Sequence, residues 1–263
     1  MIEQRNTELW NQINKGGKLG KLIAGPCAVE SRIQLEQTAA FLKERGIQVL
    51  RAGAYKPRTS PESFQGLGRE GVKIIQEICK QYSLLSVTEI MDIRELEYME
   101  QKIDILQVGS RNMHNYSLLK ELGKTKKPIL LKRGLMSTLA EFICAADYIR
   151  NEGNNRVIMC ERGIRTFESA TRNTLDISCI ALLKLQTDLP VVSDLSHSLG
   201  RKDIILPIAK ASIAAGADML MMEVHPNPST ALSDAQQQLS LEEFDVFYRE
   251  GNFYNIFEKR FHC

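Results

Sequence analysis

Four residues that lie far apart in the chain have side chains suited to binding a metal. Cys27, His197, Glu223 and Asp234 supply a thiol, an imidazole and two carboxylates. This mixture of soft sulfur and harder oxygen can bind a divalent transition metal without selecting one sharply, so Mn, Fe, Co and Zn all fit. The alternative is a buried cysteine, a polar loop histidine and surface carboxylates. Because no local ligand motif joins the four, only a fold that brings them together favours the metal.

A second segment combines cations, hydroxyl groups and prolines. Residues 51–68 read RAGAYKPRTSPESFQGLG. Prolines restrict the backbone, while ammonium, guanidinium and hydroxyl groups can hydrogen-bond to phosphate oxygens. The candidate phosphate ligands and the prolyl residue between them are Lys56, Pro57, Arg58, Thr59 and Ser60. A solvated basic turn would have the same composition, so this segment alone leaves both interpretations open.

Cations also follow several apolar runs of the chain. They are Arg51, Arg111, Lys132, Arg133 and Arg162. Five cations in one empty site would repel one another, and a ligand with several negative charges would offset that repulsion. We expect Glu89 to pair with some of them and Arg133 to be a solvated surface residue. A structural ion-pair network is the alternative.

Eight short apolar runs precede or contain these residues, and they predict the fold. In order they read LIAGPC, VLRAGAYK, LLSVTE, ILQVGSR, PILLKR, VIMCER, LPVVSDLSH and MLMMEVH. Segments with helical spacing separate them, as in SRIQLEQTAAFLKERG. Alternating buried strands and amphipathic helices predict a parallel sheet covered on both faces. Eight units favour a single α/β domain, a (β/α)8 TIM barrel, over an open doubly wound sheet. Both folds bind ligands at the carboxyl ends of the strands.

The length of the chain is consistent with one such barrel. A (β/α)8 barrel typically takes about 250 residues, and this chain has 263. We expect an N-terminal extension or cap over 1–20, a catalytic barrel over 21–245 and a C-terminal tail over 246–263. The even recurrence of apolar runs from Leu22 to Glu223 leaves no obvious boundary for a second domain, so we expect one domain with short terminal extensions.

Composition and charge exclude several kinds of partner. The net charge is +2, which gives no reason to expect a nucleic acid or a membrane surface as partner. No apolar stretch reaches the roughly 18 residues of a membrane span. The chain begins MIEQRNTELWNQINKGG, without an apolar signal core, so we expect a cytoplasmic protein. Its six cysteines include no CxxC pair, and a disulfide framework is not expected.

Several segments in chain order resemble the motifs of the 3-deoxy-D-arabino-heptulosonate 7-phosphate (DAHP) synthase family. The resemblance is to its smaller class, which is also similar to 3-deoxy-octulosonate phosphate synthases. The segments are GPCAVES, RAGAYKPRTSPESFQGLG, VTEIMD, ILQVGSRNMHN, KKPILLKRG, CERGIRTFE, SDLSHSLGR and EVHPNPSTALSDAQQQL. They fall within roughly residues 20–245. The octulosonate enzymes have a different, Asn-containing loop where this chain reads KPRTSP, so the resemblance implies a four-carbon aldose phosphate.

The resemblance implies a metal-dependent, aldol-like condensation of phosphoenolpyruvate with erythrose 4-phosphate that releases phosphate, the first step of the shikimate pathway. It implies a divalent metal cofactor bound by Cys27, His197, Glu223 and Asp234. It implies phosphoenolpyruvate contacts at Arg51, Lys56, Ser110, Arg111, Lys132, Arg162 and His197. It implies erythrose 4-phosphate contacts at Lys56, Pro57, Arg58, Thr59 and Ser60. It implies catalytic roles for Lys56, Cys27, His197 and Glu89, and a homo-oligomer, either a dimer or a tetramer.

The chain departs from the family pattern on the metal side of the site. Leu195 stands where the family usually has proline, and we expect it to move His197 slightly. Ala235 stands where glycine is frequent, and it would be strained if that position needs a positive φ. These departures favour one alternative, a paralogue that condenses phosphoenolpyruvate with another aldose phosphate. A separate alternative, from a different functional class, is a non-catalytic barrel that binds phosphometabolites or a partner.

Overall fold

Eight parallel strands close into one barrel. The computed structural model describes residues 2–14 and 21–253. The strands pair in chain order, and β1 pairs with β8 to complete the ring. Their bounds are β1 Leu22–Gly25, β2 Val49–Arg51, β3 Leu85–Glu89, β4 Ile105–Val108, β5 Ile129–Lys132, β6 Val157–Glu161, β7 Val191–Asp194 and β8 Met219–Glu223. The predicted (β/α)8 barrel is confirmed, and the open sheet is excluded.

Helices alternate with the strands around the outside of the barrel, and a further helix precedes the first strand. Within the described residues they are α1 Ile2–Asn14, α2 Arg32–Glu44, α3 Arg69–Tyr82, α4 Leu96–Glu100, α5 Tyr116–Lys124, α6 Leu139–Arg150, α7 Ile177–Gln186, α8 Leu195–Leu199, α9 Ile205–Ala214 and α10 Leu241–Gly251. Short 3₁₀ turns occupy Ile93–Glu95, Ser110–Asn112 and Pro228–Thr230. Hydrogen-bonding side chains begin several helices; Thr138 and Glu141, for example, form a capping box at α6. Where the structure is described, no helix is both long and apolar enough to span a bilayer.

Two apolar clusters explain why the strands read as unbroken apolar runs. One lies between the strands and the surrounding helices and includes Leu50, Leu106 and Phe142. The other fills the barrel interior and includes Ile23 and Ile158. Each strand therefore buries both faces, and the polar-apolar alternation of a half-exposed strand is absent.

The terminal segments are partly described. Leu9 and Ile13 of α1 join the interior cluster, so this helix packs against the barrel core, as a cap would. Helix α10 spans 241–251 and runs across the expected boundary at 245. Because its Phe244 and Phe247 belong to the outer core, we now propose a barrel domain that extends through this helix. Most of the expected tail, residues 254–263, lies outside the described residues.

Candidate active site

A polar cavity opens at the carboxyl ends of the strands. Its volume is about 400 Å³. All eleven residues expected to bind substrate line it, as does Glu89. The substrate-contacting candidates are Arg51, Lys56, Pro57, Arg58, Thr59, Ser60, Ser110, Arg111, Lys132, Arg162 and His197. The barrel therefore brings together the basic loop after β2 and the strand-end cations, which lie far apart in the chain.

The four expected metal ligands lie side by side, and two of them, His197 and Asp234, line one edge of this cavity. One donor atom from each lies within 4.8 Å of the others. Cys27 follows β1, Glu223 ends β8, and His197 lies on α8 directly after β7. Asp234 lies in the loop after β8, where its Oδ2 is 3.4 Å from the Cys27 sulfur. Closure of the ring between β1 and β8 makes this arrangement possible, since Gly25 is paired in register with Glu223.

The imidazole of His197 is oriented by a buried carboxylate. Asp194, the N-cap of α8, accepts a hydrogen bond from the His197 backbone N–H at 3.1 Å. Its other oxygen, Oδ2, lies 2.9 Å from His197 Nδ1. Burial lowers the pKa of His197 to about 4 even though Asp194 opposes this shift, so the ring is neutral near pH 7. His197 Nε2 then faces Glu223 Oε1 at 3.4 Å, as a metal-binding nitrogen should.

Lys56 lies against the thiol of Cys27. The ammonium Nζ is 3.0 Å from the sulfur and donates to the Cys27 carbonyl at 3.2 Å. Burial, followed by the charge of Glu223, raises the pKa of the thiol to about 12. Burial lowers the pKa of Lys56, but neighbouring Cys27 and Glu223 outweigh it and hold the pKa above its usual value. Without a metal, the thiol and the ammonium group therefore both keep their protons near pH 7.

The two carboxylates of the set are ionised and held by cations. Burial raises the pKa of Glu223, but His197 and Arg51 outweigh it and lower the pKa overall. Arg51 donates to Glu223 Oε1 at 3.0 Å. Burial also raises the pKa of Asp234, but Arg172, whose Nη1 donates at 3.0 Å, leads the groups that lower it.

Neither Leu195 nor Ala235, the two departures from the family pattern, disrupts the cluster of candidate metal ligands. The left-handed conformation falls on Asp234, with φ of 49°, and not on Ala235. Aspartate tolerates this region better than most residues. Ala235 does not have a positive φ, so the condition under which it would be strained is not met. Leu195 is buried as the first residue of α8. His197 still lies within the cluster of four donor atoms.

Glu89 is buried among the cations of the cavity. Burial raises its pKa, and Lys56, Lys132 and Arg51 oppose the shift without cancelling it. Gln107 Nε2 lies 3.5 Å from Oε2, while Oε1 has no hydrogen-bond partner among the described residues. A Cβ atom built on Gly109 would lie only 2.0 Å from that oxygen. The absence of a side chain at Gly109 therefore makes room for the carboxylate.

Arg133 does not belong to this site, and our expectation of a solvated surface residue was wrong. It is only 4% exposed. Its Nη1 donates to Glu161 Oε2 at 3.0 Å and to Asp176 Oδ2 at 2.9 Å. Arg133 is thus part of a buried structural ion-pair network. The sequence could not show this, because Glu161 and Asp176 are distant partners.

Several residues of the site were missed by the sequence analysis. Asp194 was read only as part of the segment SDLSH, although its position three residues before His197 is a usable signal for a helix cap. Arg172, Gln107 and Gln237 lie in or near the site. These three polar residues lie in a loop, a strand and a turn, respectively. Their positions in the sequence form no motif that would identify them as site residues.

The donor set fits a divalent metal. The four side chains converge, and His197 Nε2 is directed toward Glu223. Asp194 lies against the other ring nitrogen, Nδ1, the position at which carboxylates commonly contact metal-binding histidines. Cys27, His197, Glu223 and Asp234 would hold the ion. Strand-end cations and the basic loop with Lys56 and Arg58 line the other side of the cavity.

Fold and site together define the class of this protein, which is a (β/α)8-barrel enzyme with a cavity built for anionic substrates. The sequence model described as the DAHP synthetase I family matches residues 2–255, and the chain belongs to that family.

Named relatives agree with this assignment. Phospho-2-dehydro-3-deoxyheptonate aldolase of Thermotoga maritima is 50% identical over 229 residues, which cover 87% of this chain and 68% of the relative. A 2-dehydro-3-deoxyphosphooctonate aldolase of Acidithiobacillus ferrooxidans is 30% identical over 233 residues, which cover 81% of each chain. The crystal structure of the Thermotoga maritima DAHP synthase superposes with a TM-score of 0.86 at 49% identity, over 89% of this chain and 68% of that one.

Proposed function

We propose that this protein is a metal-dependent DAHP synthase that condenses phosphoenolpyruvate with erythrose 4-phosphate. This is the reaction of the family to which the chain belongs. The observation that supports it best is a cluster of four potential metal ligands beside a cavity that the KPRTS loop and the strand-end cations line. In the reaction, the third carbon of phosphoenolpyruvate bonds to the aldehyde carbon, water adds to the second carbon, and the bond to phosphate breaks.

The metal would be held by Cys27, His197, Glu223 and Asp234. When bound, it supplies Lewis-acid polarisation of the aldehyde oxygen. The donor set accommodates Mn, Fe, Co or Zn. The rest of the chemistry depends on groups of the chain, which bind the two anionic substrates and hold them in line.

The strand-end cations are suited to phosphoenolpyruvate, which has a phosphate and a carboxylate. Lys132 and Arg162 are buried, and Arg111 is exposed at the rim of the cavity. Positive charge develops on the second carbon of phosphoenolpyruvate as the new carbon–carbon bond forms. Glu89 lies among the cations, and its Oε1, which has no hydrogen-bond partner among the described residues, is suited to orient the water that adds there.

Lys56 is suited to deliver a proton to the aldehyde oxygen. Its ammonium group is buried, protonated and adjacent to the Cys27 sulfur. A proton donated from this position would convert the developing alkoxide into the new hydroxyl group of the product.

The KPRTS loop is suited to the phosphate of the sugar. Thr59 and Ser60 are exposed at the mouth of the cavity, while Arg58 contacts the loop that holds Asp234 through Ser233. The second candidate function, condensation with another aldose phosphate, is favoured by the 30% identity to an octulosonate-phosphate enzyme. Turnover of purified protein with phosphoenolpyruvate and a panel of four- and five-carbon aldose phosphates separates the two. Preference for erythrose 4-phosphate is expected, and preference for a five-carbon sugar would overturn it.

A non-catalytic binding barrel is the remaining alternative. The four expected metal ligands form one cluster, and four of the five strand-end cations, all but Arg133, line the adjoining cavity. This arrangement argues against loss of activity. Stoichiometric metal together with no phosphate release from any aldose phosphate would support the binding barrel.

We also propose, from resemblance to the family, a homo-oligomer, either a dimer or a tetramer. From composition and charge we propose a cytoplasmic protein without nucleic-acid or membrane partners. Light scattering during size-exclusion chromatography at micromolar concentration tests the assembly. A monomer under those conditions would contradict it.

A further inference from the structure

Gln237 makes an unusual set of contacts between two of the candidate metal ligands. Its amide nitrogen donates to Glu223 Oε2 at 2.6 Å and to Asp234 Oδ2 at 3.3 Å. Its amide oxygen accepts from Arg172 Nη1 at 2.6 Å. One neutral side chain thus connects the end of β8, the loop that follows it and the loop after β6.

The orientation of this amide is determined by its neighbours. A guanidinium group can only donate, so Arg172 must face the amide oxygen. The two amide hydrogens are then directed at the two carboxylates, which accept them. Gln237 is 4% exposed, so water does not compete freely for these hydrogen bonds.

The local backbone gives Asp234 little support of its own. Asp234 has a positive φ, and a single turn connects it to Gln237, whose backbone N–H donates to the Asp234 carbonyl at 3.3 Å. Glu223 and Asp234 also repel each other as neighbouring carboxylates. A group that donates to both can hold them at a fixed separation.

A neutral amide is better suited to this position than a charged group. Arg51, Lys56 and Arg172 already place positive charge around the two carboxylates. A further cation would repel a bound metal, and a third carboxylate would add to the existing repulsion. An amide supplies two donors without changing the charge of the site.

We propose that Gln237 is a positioning residue that holds Glu223 and Asp234 in the arrangement that binds the metal. The inference rests on the proposed function, because it assumes that these carboxylates are metal ligands. It assigns to Gln237 no contact with substrate. Its effect is exerted through the two carboxylates and appears first in metal affinity.

The test measures binding of Co²⁺ to the metal-free full chain by competition with a chromophoric chelator. Q237M removes the amide at similar size, and Q237N keeps the amide but shortens its reach. Both are expected to weaken Co²⁺ affinity about 10- to 100-fold, the usual range for groups that support metal ligands. The sulfur-to-cobalt absorption should shift or weaken as well. Q236M, at the exposed neighbouring position, is the matched control and should bind as the unaltered protein does.

Thermal unfolding of each metal-free variant separates positioning from general stability. If Q237M does not fold, Q237N provides the comparison at the same position. Unchanged affinity and absorption in folded variants would overturn the role of Gln237 while leaving the metal site intact. Failure of the unaltered protein to bind Co²⁺ would instead overturn the metal site and, with it, both proposals.

Discussion

Asp194 Oδ2 lies 2.9 Å from His197 Nδ1, and Asp194 Oδ1 accepts the backbone N–H of the same histidine. One buried carboxylate therefore caps the start of α8 and lies against the imidazole ring. The ring nitrogen that remains, Nε2, faces Glu223. The geometry of the candidate metal site thus depends on a residue that contacts no metal itself.

We expect D194N to weaken metal binding about 10- to 100-fold, because the amide cannot stabilise the same tautomer and ring orientation. The dissociation constant of the metal-free protein for Zn²⁺ measures this. D203N, at an exposed carboxylate paired with Arg201, is the control and should have no effect. Equal affinity of D194N and the unaltered protein would show that His197 needs no support from Asp194.

K56M should lower turnover by roughly 10²- to 10⁴-fold, the range typical of a lost general acid. Metal content should stay the same, because Lys56 is not among the four ligands. Steady-state kinetics and elemental analysis of the same preparation measure both quantities. Retained turnover would exclude Lys56 as the general acid. Loss of metal would instead show that Lys56 is needed to maintain the metal site.

G109A should displace the Glu89 carboxylate, since the added methyl group would lie 2.0 Å from Oε1. The backbone at Gly109 has φ of −69°, which alanine adopts readily, so the effect should arise from contact alone. A loss of roughly 10- to 100-fold in kcat/KM is expected for such a misplacement. In an E89A background the same substitution should have no further effect. Losses that multiply in the double variant would contradict action through Glu89.

The Arg133 network should affect stability and leave catalysis unchanged. Burial raises the pKa of Asp176, but hydrogen bonds from Ser178 and Arg133 outweigh it and lower the pKa overall. The ionised carboxylate therefore stabilises the fold above its unfolded-state pKa, and this stabilisation is lost as pH falls through the folded-state pKa.

D176N keeps the helix cap and removes the charge, so it should lower the free energy of unfolding by about 1 kcal/mol at pH 7. The difference from the unaltered protein should shrink below the usual aspartate pKa. Denaturant unfolding at a series of pH values checks this. A difference that is the same at pH 3 and pH 7 would exclude the charge as its cause.

The sequence was sufficient to predict the barrel and most of the site, for a physical reason. Parallel strands place their carboxyl ends on one rim, so a polar residue at the end of each apolar run can be assigned to the cavity once the fold is known. Cys27, Lys132 and Glu223 were assigned to the candidate site in this way.

The remaining features depend on contacts between distant loops. Arg133 was misassigned because its acidic partners are 28 and 43 residues away. Gln237 was missed because its contacts with Glu223 and Arg172 form only in the folded protein, where the loop after β8 meets the loop after β6. The sequence left open whether Ala235 has a positive φ. The left-handed conformation lies at Asp234 and depends on how one turn closes, which a single residue type does not determine.

Phosphate release by the purified protein, with and without chelator, tests the central claim most directly. With phosphoenolpyruvate and erythrose 4-phosphate together, we predict release that falls to background after the metal is removed and returns when Mn²⁺, Co²⁺ or Zn²⁺ is added back. Neither substrate alone should give release, and C27A should recover little activity. Undiminished release after elemental analysis has confirmed removal of the metal would contradict the account.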